Sequence, residues 1–82
     1  MTAQEIKDLR DKLPSGSISK IAEKSGIKYF NVSRFFNGNI LKAEQSTKIL
    51  NATADYLEEI KKSEKEAMER VKAVISTDLQ PE

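Results

Sequence analysis

The chain has 82 residues, of which 38% are apolar and 33% are charged, and its formal net charge is +1. This length predicts one globular domain with a single small core. The sequence contains no cysteine and no histidine. Their absence excludes disulfides and thiolate metal sites and removes the commonest general base. It also lacks a long apolar run and a signal-peptide pattern, so we expect a cytoplasmic protein without a membrane span.

The charges are unevenly distributed along the chain. Residues 1–43 hold eight Lys or Arg against four Asp or Glu, a net of +4, whereas residues 44–82 hold six against nine, a net of −3. The stretch from Lys24 to Ala43 has no acidic residue. Such a basic stretch is typical of a phosphate-binding surface. The alternative interpretation is chance fluctuation in a short sequence.

The first predicted helix begins at Thr2-Ala-Gln-Glu5, which has the pattern of a capping box. Pro14 and Gly16 end it. Residues at helical spacing are expected to be buried along one side of this helix. They are Ala3, Ile6, Leu9 and Leu13.

Two short helices joined by a turn at Gly26 are predicted over residues 17–38. Ser17 is the expected N-cap of the first, and the second runs from about residue 28 to Asn37, with Gly38 after its end. Apolar residues at helical spacing give both helices a core side: Ile18, Ile21, Ala22, Ile27, Val32, Phe35 and Phe36. This arrangement is typical of a DNA-reading helix-turn-helix.

The second helix has a polar face almost opposite its core side when residues are placed at about 100° intervals. Tyr29, Phe30, Ser33, Arg34 and Asn37 lie on that face. Phe30 is unusual there because a large exposed ring commonly marks a contact surface, and a thymine methyl group suits it. The alternative is that the Phe30 ring folds sideways into the core.

These residues resemble a known family. The segment Ala22–Gly26 followed by Ile27-Lys-Tyr-Phe-Asn-Val-Ser-Arg-Phe-Phe-Asn-Gly38 resembles the headpiece of the lactose-repressor family, in which Val-Ser-Arg, two apolar residues and Asn are characteristic. Cro and phage-repressor (lambda repressor-like) domains share the pattern more loosely. The resemblance covers about residues 17–60. The sugar-sensing domain of that family has no counterpart here, so we expect no sugar effector.

The resemblance implies base contacts from Tyr29, Phe30 and Arg34. It implies phosphate contacts from Asn31, Ser33 and Asn37. Lys28 departs from the pattern, because Ser or Thr usually caps the recognition helix there, and we expect this lysine to reach a phosphate instead.

Side-chain chemistry supports these roles separately. Arg34 can form two parallel hydrogen bonds with guanine O6 and N7, whereas the short side chains of Asn31 and Ser33 suit backbone oxygens. Four lysines are expected to add salt-sensitive phosphate affinity. They are Lys20, Lys24, Lys28 and Lys42. For each lysine alone, the alternative is an ordinary solvated side chain.

The Asn37-Gly-Asn39 turn precedes Ile40 and Leu41, which we expect to fold back as core. A long helix follows from residue 42 or 43 to about Ile75, since Gly and Pro are absent until Pro81. Ile49, Leu50, Ala54 and Leu57 are expected to close the core. Opposite charges at i,i+4 support the helix. The pairs are Glu44–Lys48, Glu58–Lys62 and Glu66–Arg70.

An apolar stripe continues along this helix past the predicted core. Its spacing of three and four residues predicts pairing with the same helix of a second copy. The expected dimerisation residues are Leu57, Ile60, Ala67, Val71 and Val74. The alternative is an exposed helix with incidental aliphatic residues. Residues 76–82 are predicted to be a loose tail.

Together these patterns predict an all-α, repressor-like helix-turn-helix domain of four to five helices over residues 1–60, and a helical dimerisation extension over 61–82. The predicted function is sequence-specific binding of double-stranded DNA as a homodimer, with two recognition helices about 34 Å apart in successive major grooves. We expect a nucleoid-associated transcriptional regulator, a repressor rather than an activator, because nothing resembles an activation segment. The alternative is a protein-interaction module, such as an antitoxin whose C-terminal helix binds a partner protein.

We predict neither an enzymatic activity nor a cofactor or metal. The sequence has no Gly-rich phosphate loop, no histidine or cysteine, and no carboxylate pair clearly placed in a cleft.

Overall fold

The computed structural model describes residues 1–78 and contains four helices and no strand in that range. They are α1 (Ala3–Lys12), α2 (Ser17–Ser25), α3 (Tyr29–Phe36) and α4 (Ala43–Asp78). An all-helical chain with a long C-terminal helix is therefore confirmed, at the lower end of the predicted four to five helices.

The predicted capping box is present at the start of α1. The Glu5 amide donates to the Thr2 hydroxyl, and the Thr2 amide donates to the Glu5 carboxylate, each over 3.2 Å. Hydrogen bonds with Thr2 lower the pKa of Glu5. The hydrogen bond from the Thr2 amide has the largest effect, and the hydrogen bond of the Thr2 side chain has the next largest. Of the four residues expected to be buried here, Ala3 is exposed, and this part of the prediction is wrong. Ala3 belongs to the first turn, beyond the end of the core that α1 covers.

Ser17 is not the N-cap of α2, contrary to the prediction. Gly16 occupies that position with φ of 82°, and no side chain caps the helix. Ser17 begins the helix itself and is buried, with its hydroxyl donating to the Pro14 carbonyl over 2.5 Å and lying 3.2 Å from the Tyr56 hydroxyl. Tertiary contact with α4 therefore determines the role of this serine.

The turn between α2 and α3 is closed at Gly26, as predicted. Its φ of 72° is left-handed, and its amide donates to the Ala22 carbonyl over 3.0 Å. Ser25 supports the same turn by accepting from the Ile27 amide over 3.1 Å. These local bonds reverse the chain between two helices of nine and eight residues.

The core lies where α2, α3 and α4 meet, and α1 covers one side of it. Its buried apolar residues are Ile21, Val32, Phe35, Phe36, Ile49 and Ala52. The Phe35 and Phe36 rings meet edge to face, with centroids 5.3 Å apart, a favourable aromatic geometry. Half-buried residues surround this centre: Ile6, Leu9, Leu13, Ile18, Ala22, Ile27, Leu41, Leu50 and Tyr56.

Two residues expected in the core lie outside it. Ile40 is 95% exposed, whereas its neighbour Leu41 packs against the core. Both residues lie in the non-helical connection between α3 and α4, where Leu41 takes the position against the core. Ala54 is also exposed, because it lies about 140° around α4 from Ile49.

Thr53 is buried in α4 near Ile49. Its hydroxyl donates to the Ile49 carbonyl over 2.7 Å, which satisfies the buried polar group.

The predicted pair Glu44–Lys48 forms an ion pair at 3.4 Å.

The chain is elongated because α4 extends past the packed helices. The molecule measures 62 × 24 × 17 Å. We call residues 1–60 the head and residues 61–78 the tail; side chains of the tail are exposed from Lys61 through Ser76. α4 continues to Asp78, so the predicted loose segment is wrong for residues 76–78, while residues 79–82 lie outside the described residues.

Within the described part of the chain, no helix combines the length and apolar character needed to cross a membrane.

Replacing Gly26 tests the turn. A Cβ there would meet no atom within 4 Å, so Gly26→Ala is strained only by its left-handed backbone. We expect it to lower the free energy of unfolding by about 1 kcal/mol. Gly26→Asn should be less harmful because Asn tolerates this conformation better. Urea unfolding of both variants measures the difference, and equal stability of all three proteins would contradict a strained turn.

Candidate functional site

α3 has one buried side and one exposed side. Val32, Phe35 and Phe36 are buried, whereas Tyr29 is 56% and Phe30 69% exposed. The helix is only eight residues long, too short to be stable alone in water, so packing of the buried side holds it in place. The exposure of Phe30 rules out the alternative in which its ring folds into the core.

Arg34 lies beside Phe30 on the exposed side. The guanidinium carbon is 5.8 Å from the centroid of the Phe30 ring, which is a cation–π distance. At an exposed site this contact stabilises by about 0.5–1 kcal/mol, so it favours one direction for the arginine without immobilising it. Tyr29, Phe30 and Arg34, the three predicted base-contacting residues, are all exposed on α3, and we call their surface the α3 face.

The start of the α3 face carries a free positive charge. Lys28 is the N-cap residue of α3, is exposed, and makes no side-chain cap hydrogen bond. A lysine has no acceptor for the first amides of the helix. Within residues 1–78 this ammonium group forms no hydrogen bond or ion pair, so it is available beside the α3 face.

The end of the α3 face contacts α1. The Asn37 side-chain oxygen accepts a hydrogen bond from the Arg10 guanidinium. This contact adds a cation from α1 that the sequence patterns did not select as a site residue. The two residues are 27 positions apart, and no local spacing indicates that they meet.

A shallow groove runs along the α1–α2 connection to the α3 face. Its lining residues are Arg10, Leu13, Pro14, Ser15, Gly16, Ser17, Ile18, Ser19 and Tyr29. The uncapped first turn of α2 belongs to this lining, and amides at a helix N-terminus favour negative groups. The groove thus combines backbone donors, one cation and an aromatic side chain.

The other predicted phosphate-contacting residues have different surroundings. Asn31 and Ser33 are half-buried on α3, and Lys42 is exposed just before α4. Lys20 lies 3.8 Å from Glu23 in an exposed pair. Lys24 donates to Glu59 of α4 over 2.6 Å, so binding a phosphate would require it to leave that partner.

The described residues contain no group of His, Cys, Asp or Glu side chains that could hold a metal ion. The chain was also compared with models of known protein families, with curated proteins and with solved structures, and none of them matches it.

Alanine variants of two phenylalanines test whether α3 has one exposed and one buried side. Phe30→Ala should change the free energy of unfolding by no more than about 1 kcal/mol, since it removes an exposed ring and one weak cation–π contact. Phe35→Ala, the matched control, should cost about 3–5 kcal/mol because that ring is buried. Urea unfolding compares them, and similar losses would show that Phe30 also supports the core.

Proposed function

We propose that the protein is a sequence-specific, double-stranded DNA-binding protein with a repressor-like helix-turn-helix formed by α2 and α3. In this function α3 enters the major groove, and the head acts in pairs as a homodimeric transcriptional regulator, in the first place a repressor. The resemblance of residues 22–38 to the lactose-repressor headpiece supports this function.

The observation that carries the proposal is the exposed chemistry of the α3 face. An α-helix fits the major groove of B-DNA, and this one projects a ring at Phe30 and a guanidinium at Arg34 from a side opposite its packed residues. Arginine pairs with guanine O6 and N7, and an apolar group contacts the thymine methyl. Both are base-edge contacts of the kind that specify sequence.

The charge around the α3 face suits a polyanion. Residues 24–43 contain no acidic side chain, and Lys28 and Arg10 lie at the two ends of α3. Cations at the ends of a reading helix can contact phosphates on either side of the groove, which sets orientation without reading bases. The uncapped N-terminus of α2 adds amide donors to the same side.

A protein-interaction module remains the second candidate function, favoured by the exposed apolar residues of the tail. Met68, Val71 and Val74 are all more than half exposed. A tail that binds another protein predicts a monomer when the chain is alone, whereas the homodimeric regulator predicts a dimer. Sedimentation of the purified full chain separates the two.

Selection of bound sequences from a random duplex pool tests the proposed function. We expect enrichment of a motif with two-fold related half-sites, because closed homodimers place identical reading helices on identical half-sites. Retention of duplexes without sequence enrichment would mean that the protein binds DNA electrostatically and does not read its sequence. Absence of retention at low salt would overturn DNA binding altogether.

Two substitutions should affect DNA binding in different ways. Arg34→Ala should lower affinity for the selected site by about 1–3 kcal/mol and relax preference at one base pair. Lys28→Ala should weaken all sequences about equally and reduce the salt dependence by about one phosphate contact. Titrations at several salt concentrations distinguish the effects.

Lys24→Ala is the matched control for Lys28→Ala, because Glu59 already holds that ammonium group. We expect it to change affinity less than Lys28→Ala does. Unchanged affinity and preference after Arg34→Ala would mean that α3 is not the reading helix.

A further inference from the structure

The tail extends α4 beyond Ile60, and its side chains are exposed from Lys61 through Ser76. Isolated helices of about 12–15 residues are marginal in water, and the tail contains a row of exposed aliphatic side chains. Burial of this row by a partner would stabilise the helix.

The exposed row continues the side of α4 that carries the head. At about 100° per residue from Ile49, Tyr56 lies at about 340°, Ala67 at about 0°, Val71 at about 40° and Val74 at about 340°. Ile49 is buried and Tyr56 is half-buried against the head. The tail therefore presents its apolar row in the direction in which the head projects.

This common direction excludes a parallel, in-register pair of α4 helices. Packed helix axes lie about 8–10 Å apart, and in a parallel pair both heads would occupy the space between the axes at the same level. The two smaller dimensions of the molecule are 24 and 17 Å. Two heads cannot fit into that space while the tails are in contact.

We propose that two copies of the chain associate through their tails in an antiparallel arrangement. Each tail then covers the apolar row of the other, and the two heads lie at opposite ends of the paired helices. This inference deepens the homodimer part of the proposed function and rests on it, but it does not require that the heads bind DNA.

The head determines how far the two tails overlap. It covers the apolar side of α4 up to about residue 60, so the end of the second copy's helix, residue 78, can advance only to that level. Residue 64 then lies opposite the second copy's residue 74, and residue 67 opposite its residue 71. The central contacts join Ala67 of one copy with Val71 of the other, and the overlap is about 28 Å long at 1.5 Å per residue.

The charge of the tail is compatible with a second copy as the partner that covers the apolar row. Residues 61–78 contain five basic and four acidic residues, so two tails are nearly neutral toward each other. Glu64 interrupts the apolar row, and a parallel, in-register pair would place the two Glu64 carboxylates at the same level beside each other. In the antiparallel pair, Glu64 lies at the level of the second copy's Val74, and the two Glu64 residues are about 15 Å apart along the helices.

Single cysteines can report the arrangement because the natural chain has none. Glu64→Cys and Val74→Cys replace exposed residues, so neither should disturb the head. Full-length variants, one carrying a tag to change its mass, are oxidised separately and as an equimolar mixture. We expect a disulfide dimer between the two different variants, and little dimer from either variant alone, since like positions are about 15 Å apart.

Each other result overturns the inference. A disulfide dimer of Glu64→Cys with itself would show a parallel pair, and no disulfide in any sample would show that the tails do not meet in this register. Monomeric sedimentation of the natural chain at micromolar concentration would mean that the tail serves another partner. Binding of the natural chain to the selected duplex is measured separately, so loss of the DNA-binding proposal and loss of the antiparallel dimer are distinguishable.

Discussion

Burial of one side of α3 is the interaction on which the rest of the structure depends. The helix has eight residues, so it persists because Val32, Phe35 and Phe36 are buried in the core while α3 contacts α1 and α2, and not through its own hydrogen bonds. Each of those contacts also fixes the rotation of the helix about its axis. The outward direction of Tyr29, Phe30 and Arg34 is therefore a consequence of core packing.

α4 serves two different surfaces with one helical side. In the head, Ile49, Ala52 and Thr53 are buried on this side. Tyr56 lies on the same side, and its hydroxyl is hydrogen-bonded to the Ser17 hydroxyl. In the tail, the same side is exposed. A single continuous helix thus links the packing of the head to the proposed association of two copies, and the direction of the head limits how those copies can meet.

The cations of the head differ in how free they are. Lys28 is exposed at the start of α3 and has no ion pair within residues 1–78, whereas Lys24 is paired with Glu59 and Arg10 with Asn37. A positive charge already satisfied by a carboxylate contributes less to binding a phosphate, because the existing pair must first be broken. Arg10 differs, since its partner Asn37 is neutral and lies on the α3 face itself.

Local patterns in the sequence were sufficient for several features. The capping box at Thr2 and Glu5, the turn at Gly26 and the two sides of α3 follow from backbone chemistry and helical spacing, which act over a few residues. The same holds for the length of α4, because no Gly or Pro interrupts it. These features do not depend on which distant segment packs against them.

Only the tertiary structure determined the contacts between distant residues. Ser17 is not the N-cap of α2, because it is buried beside Tyr56. Ile40 is exposed, because its neighbour Leu41 packs against the core instead. Arg10 reached Asn37, and Lys24 reached Glu59, across 27 and 35 positions. Such contacts depend on how the helices pack together, and helical periodicity carries no information about that packing.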